Sequence, residues 1–516
     1  MSSKSWFLSV SALVCLGIAA MEMSAAEKPA SELRQKATQE LQAGNFRDAW
    51  GHYQELVLGA EVDPQRIDQD VAEAVQAAQS LGEVGKVDEF LEKGIVKHGG
   101  NWRFLRAVAR VYLNLDHSGF EIAGKFQRGQ SRVRGKWMNA TQRDHGRALQ
   151  LLNQGLPLAI QDNDKPAVAE FQFLFAQILL AGQGGSDAWR LQMKTDFASL
   201  PDYEPGFYNF GGGSRGAPVD VDGNPVFHQL PKNWEAAATD GERWRYLLSQ
   251  VIESDPARRD EVEATFADFC RGQFGVQTMA QFGFGPTDDH DDDADANAAE
   301  SGPFALSSLT DDETIARLAT GVKRFKLPDE FNYVKLYRNI ADRAKASRST
   351  WTETARGQLC QEHEDRRQYV RAAEEWKLAI TEYGPGVGDH RKQRLQQVVG
   401  NWGRFENGVV QPAGSGATLD YRFRNGTEVV FEAREIKVGE LLAAVKSYLK
   451  TSPKQVDWQK TNIQDIGYRL IVQNDAALLG RPVANWTLEL KPRAGHVDDR
   501  VTVTTPLQKA GAYLVT

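Results

Sequence analysis

The chain has 516 residues, a formal net charge of -8, 41% hydrophobic and 25% charged residues. That length exceeds one ordinary core and predicts two to four domains with the composition of a globular protein. The acidic balance argues against nucleic-acid binding, which needs a basic stripe to displace counterions.

Residues 1–26 read as a secretory signal. Lys4 supplies the positive start, Trp6 to Ala20 the apolar stretch, and Ser24-Ala25-Ala26 the small residues at a cleavage position. The apolar run is too short to span a bilayer comfortably, and no later stretch reaches the roughly 20 residues a span needs. The expected location is therefore the periplasm or the extracellular space. Cys270 and Cys360 remain after signal removal. An oxidising compartment would let them pair; the alternative is two buried small hydrophobes.

Residues 27–285 predict a helical region. Gly44, Phe46, Ala49 and Tyr53 fall at the spacing of a tetratricopeptide-like helix pair. Gly44 would end the first helix, Ala49 would sit at a close crossing, and Phe46 and Tyr53 would fill the gap. Weaker copies fall at 72–98, with Gly85, Val87 and Phe90, and at 143–198. A hairpin insertion is expected near 205–230, where Asp222-Gly223 is flanked by alternating valines. The acidic stretch 286–302 reads as a linker.

Residues 303–400 read as helical again. Tyr369, Ala372, Trp376 and Ala379 hold the same relative offsets as the first copy, with Arg367 in place of the glycine. From 408 to 516 an α+β module is expected. Its first feature is a hairpin over 417–436 with Asn425-Gly426 at the turn, followed by an amphipathic helix at 438–450 and further strands. The last apolar strand runs to Thr516 with no polar tail, which predicts an incomplete module.

No motif carries catalysis. Gly212-Gly213-Ser214-Arg215-Gly216 fits a nucleophile elbow in letters, but a proline and a hairpin follow where a helix is required. Asp288, Asp289, Asp291, Asp292, Asp293 and Asp295 lack the turn that gathers calcium ligands, and Asp220 with Asp222 reads as a turn. The scattered histidines support no zinc site, and His363 reads as a solvated residue on a charged helix face. The basic run 127–137 reads as an intramolecular contact. No cofactor or metal is implied.

The terminal TPLQKAGAYLVT resembles a strand pair of bacterial alpha-2-macroglobulin-like proteins, and 241–250, 312–332 and 401–426 resemble the helical leader of large members of that family. The resemblance implies an exported, non-catalytic scaffold linked to protease inhibition or envelope defence, with other proteins, proteases among them, as partners. The family's Cys-Gly-Glu-Gln thioester signature is absent from these residues, so trapping chemistry cannot reside in them. The alternative is a free-standing periplasmic tetratricopeptide adaptor. The expected fold class is α+β multidomain, a helical repeat array followed by a β-rich, macroglobulin-like module.

Overall fold

The structure is a computed structural model. It describes residues 30–60, 62–129, 135–181, 185–206, 216–279, 305–346, 348–406, 408, 410–452, 454–461, 470 and 476–516. The expected signal at 1–26 and the acidic linker at 286–302 lie outside the described residues. The chain is mixed helix and sheet and divides into two units, Met1–Pro286 with Ala316–Lys323, and Thr287–Ile315 with Arg324–Thr516.

The first unit opens with α1 (30–42), α2 (Phe46–Val57), α3 (Ile67–Ser80), α4 (Val87–His98) and α5 (Trp102–Asn114). Their apolar stripes meet in a core that includes Ala37, Ala49, Tyr53, Val71, Leu91 and Phe104, all buried. The Asn101 side chain accepts from the Arg103 and Phe104 amides and so starts α5.

Strands β1 (Ser118–Ile122), β2 (Lys125–Arg128) and β3 (Lys136–Asn139) follow, in a stretch whose composition predicts helix. They are short, and with β4 (Glu204–Pro205) they form an antiparallel sheet ordered β2-β1-β3-β4. Between β3 and β4 lie α6 (Thr141–Ile160) and α7 (Lys165–Leu180), the latter started by Asp164 with proline in its first turn. Arg128 is buried and binds Asp88 on α4 and Asp144 on α6, with N–O distances of 2.7–3.1 Å. At that residue the basic run is indeed an internal contact; Arg132 and Arg134 lie outside the described residues.

Among the described residues of the expected hairpin near 205–230, the chain turns with an isolated antiparallel bridge, Val219 to Pro225. Asp220 caps the turn by accepting from the Asp222 and Asn224 amides at 2.9 and 2.8 Å. Helices α8 (Asp240–Ser254) and α9 (Arg259–Phe274) complete the run.

A two-stranded sheet, β5 (Glu313–Leu318) and β6 (Gly321–Lys326), interrupts the stretch read as helical over 303–400. The second unit continues with α10 (Tyr333–Asp342), α11 (Thr350–Asp365), α12 (Tyr369–Tyr383) and α13 (His390–Val399). Asn332 caps α10, and Ser349 with Thr352 forms a capping box on α11.

The rest of this unit holds β7 (Trp402–Phe405), β8 (Thr418–Arg424), β9 (Glu428–Ile436), α14 (Val438–Lys450), α15 (Trp458–Thr461), β10 (Leu479–Glu489), β11 (Asp499–Thr504) and β12 (Tyr513–Val515). The strands make two antiparallel sheets, β11-β8-β7 and β10-β9-β12. Strands β8 and β9 are therefore not the hairpin expected over 417–436; each pairs within a different sheet. Asn425 takes a left-handed backbone with φ of 58°. Its side-chain amide donates to the Val398 and Gly400 carbonyls at 3.0 and 2.9 Å, which holds the crossover to the end of α13. The sheets meet through aromatic rings. Phe405 and Tyr421 of one lie 5.7 and 5.3 Å from Phe431 of the other, and Trp486 stacks on Phe431 at 5.2 Å.

Candidate functional site

The residues singled out by spacing lie in two helical hairpins, α1–α2 and α11–α12. Each hairpin turns through the same backbone device. In the first, the Gly44 amide donates to the Leu41 carbonyl at 3.2 Å and the Asn45 amide to Glu40 at 2.8 Å. In the second, the Arg367 amide donates to Glu364 and the Gln368 amide to His363, both at 2.8 Å. These are paired closures of a helix end around one left-handed residue. That residue is Gly44 at φ 81° in one hairpin and Arg367 at φ 55° in the other. The next helix starts two residues on in both, at Phe46 and Tyr369.

Five residues past the turn, Ala49 and Ala372 are fully buried. A methyl side chain there lets the two helices approach closely. Nine residues past it stand the aromatics. Tyr53 is fully buried, with its hydroxyl 3.0 Å from that of Thr38 on α1 and a bond to Glu73 on α3. Burial first, and the Glu73 bond second, raise the Tyr53 pKa. Trp376 donates its indole N–H to Glu364 on α11 at 2.6 Å and packs with Ala379 and Cys360. Phe46 and Tyr369 are half-buried at the rim.

A third hairpin, α3–α4, uses the same closure at Gly82, where the Gly82 amide donates to Gln79 and the Glu83 amide to Ala78, both at 2.9 Å. Gly82 has φ of 72°. The sequence pattern anchored at Gly85 is therefore three residues late. Counted from Gly82, the fifth and ninth positions are Val87 and Leu91, both buried.

The α11–α12 hairpin also holds a buried polar cluster. Arg366 binds Glu362 at 2.7 Å and the Tyr333 hydroxyl at 2.9 Å, and Tyr333 donates to Glu362 at 2.8 Å. All three side chains are fully buried. His363, read as solvated, is buried as well, and its Nδ1 lies 3.0 Å from the Gln368 amide oxygen. Burial lowers its pKa. An arginine three residues after a histidine on a charged helix carries no outward sign of this; the signal is Tyr333, far away in sequence.

Cys270 and Cys360 are both buried and are not joined to each other in a disulfide. Burial pushes the Cys360 thiol well above its ordinary range, so it is a poor nucleophile. A shallow groove opens at the start of α12, lined by Leu309, Arg367, Tyr369, Val370, Arg371 and Gly495. Arg371 is tied to Asp311 at 2.5 Å. Among the described residues no cluster of His, Cys, Asp and Glu is placed to hold a metal, and no helix is long and apolar enough to cross a membrane.

No protein-family model matches the chain, and no curated protein matches it significantly.

Proposed function

We propose that the chain is a non-catalytic, exported scaffold of the kind that forms the N-terminal portion of alpha-2-macroglobulin-like proteins, where tetratricopeptide-like helix pairs precede a macroglobulin-like sandwich. One observation carries this reading. Two three-stranded antiparallel sheets face each other around Phe405, Tyr421 and Phe431, downstream of helix pairs that keep one packing pattern at fixed offsets. Recurrence of the pattern at Gly44, Gly82 and Arg367 supports tetratricopeptide-like packing. The role in protease inhibition or envelope defence follows from the resemblance, and partners are other envelope proteins or proteases.

The test uses antibodies raised against residues 402–516 to recover the native polypeptide from cell fractions. The expected result is a polypeptide outside the cytoplasm, with its N-terminus near Glu27, that incorporates labelled methylamine at a thioester. A cytoplasmic protein that keeps Met1 would overturn it. The groove at the start of α12 favours the second reading, a tetratricopeptide adaptor that receives a peptide. An exported polypeptide of about the size of this chain, inert to methylamine, would select that reading.

A further inference from the structure

In the second unit, the two apolar flanks of α14 have different surroundings. Leu441 packs with Ile436, Leu470 and Leu478, and Val445 one turn on is also buried. Beside that stripe lie Val438, Leu442 and Leu449, which helical geometry places within about 40° of one another around the axis. They are 39, 40 and 48% exposed. Beyond them on the same side come Lys446 and Lys450, both exposed, and Lys454 follows the helix. None of these three lysines forms an ion pair among the described residues, whereas Lys437, nearer the start of α14, lies 3.6 Å from Glu440. The Asp457 amide donates to the Tyr448 hydroxyl at 2.7 Å, which holds the following turn against the end of α14. Trp458, next in sequence, is 76% exposed.

An apolar strip bordered by lysines that form no ion pair among the described residues, with an exposed indole following the helix in sequence, matches the chemistry of a membrane interface. Aliphatic side chains enter the boundary between headgroups and acyl chains, the indole sits at headgroup level, and lysine stems reach up to phosphates. Association with a second copy by this face would set the same lysines against themselves. We propose that the outer flank of α14, with Trp458, docks on an anionic lipid surface, Lys446, Lys450 and Lys454 meeting the lipid phosphates. This does not depend on the macroglobulin reading.

The experiment takes the full chain, as the cell produces it, with vesicles of phosphatidylcholine alone or of equal parts phosphatidylcholine and phosphatidylglycerol. Binding at least about tenfold tighter to the anionic vesicles is expected, weakening with salt. Brominated lipid should quench Trp458, read as the difference between the chain and its Trp458→Phe variant. Leu442→Glu with Leu449→Glu should lower affinity at least about tenfold while leaving the melting curve in place, because both positions are exposed. Lys446→Glu with Lys450→Glu should lower it for the anionic vesicles alone. Unchanged binding by the leucine variant, or an unquenched Trp458, overturns the proposal. So does a concentration-dependent dimer, or capture of polyglutamate, that the same substitutions abolish in a chain that ignores vesicles.

Discussion

The α1–α2 and α11–α12 hairpins have one backbone and two kinds of interior. Both close around a left-handed residue, start the second helix two residues on, and bury an alanine at the crossing. The first is held to its neighbour α3 by Arg34, which binds the buried Asp70 with two bonds at 2.7 and 2.8 Å while its own side chain keeps 13% of its surface exposed. The second contains Arg366, Glu362 and Tyr333, sealed from water. The difference teaches that the repeat spacing fixes the turn and the crossing, while the polar chemistry between helices is free to differ. A buried ion pair is weak evidence of stability, since desolvation offsets much of its attraction.

Removing one partner exposes that contrast most strongly. Arg366→Met leaves Glu362 buried without its cation and should cost about 3–5 kcal/mol. Arg34→Met should cost about 1–3 kcal/mol, because Arg34 lies nearer to water. Hydrogen exchange of peptides from 350–383 and 30–57 measures each locally. Equal losses in the two hairpins would erase the distinction.

The shared crossing comes next. Ala49→Trp and Ala372→Trp should each overpack it and cost about 1–3 kcal/mol. An unchanged thermal midpoint for either variant would show that the crossing is looser there.

The turn residues should respond with opposite signs. Gly44→Ala places a side chain in the left-handed region and should destabilise by about 1 kcal/mol. Arg367→Gly relieves the same strain and should stabilise by up to about 1 kcal/mol, or somewhat less because glycine frees the unfolded chain. Denaturant midpoints of the two variants moving the same way would contradict an equivalent turn.

The smallest effect is on pH. His363 is buried and its pKa is lowered, so the unfolded chain binds a proton that the folded chain resists. Its contribution is therefore complete above the unfolded value of about 6.5 and declines as pH falls below it. His363→Gln should flatten the slope of melting temperature against pH from that value downward. A slope identical to that of the parent chain would assign the pH dependence to other groups.

Much of the helical part was legible because its signals are local. Gly44, Ala49 and Tyr53, and likewise Ala372, Trp376 and Ala379, mark turn, crossing and filler by type and offset alone. The weaker copy is offset by three residues because Gly82 and Gly85 both follow a periodic stretch, and type alone does not say which of them closes the helix. The strands at 118–139 and 313–326 leave little signal in the sequence, because each is only four to six residues long. The burial of His363 is not visible in its local sequence, whose neighbours are those of a charged helix face.

The amino-acid sequence by itself determined the turn, crossing and filler positions of the α1–α2 and α11–α12 hairpins, and that 418–436 contains strands with an interruption at Asn425. Alternation of side chains states which residues face inward, since that depends only on the pleat. It does not state which strand lies alongside. Only the tertiary structure decided that β8 joins β7 and β11 while β9 joins β10 and β12. The physical reason is that an Asn-Gly pair permits a left-handed bend without dictating its outcome. Here the Asn425 amide is taken by the Val398 and Gly400 carbonyls, and Tyr421 packs across the gap onto Phe431 rather than beside it. The same holds for Glu362, Arg366 and Tyr333, whose charges and hydroxyl are ordinary surface chemistry until packing closes over them.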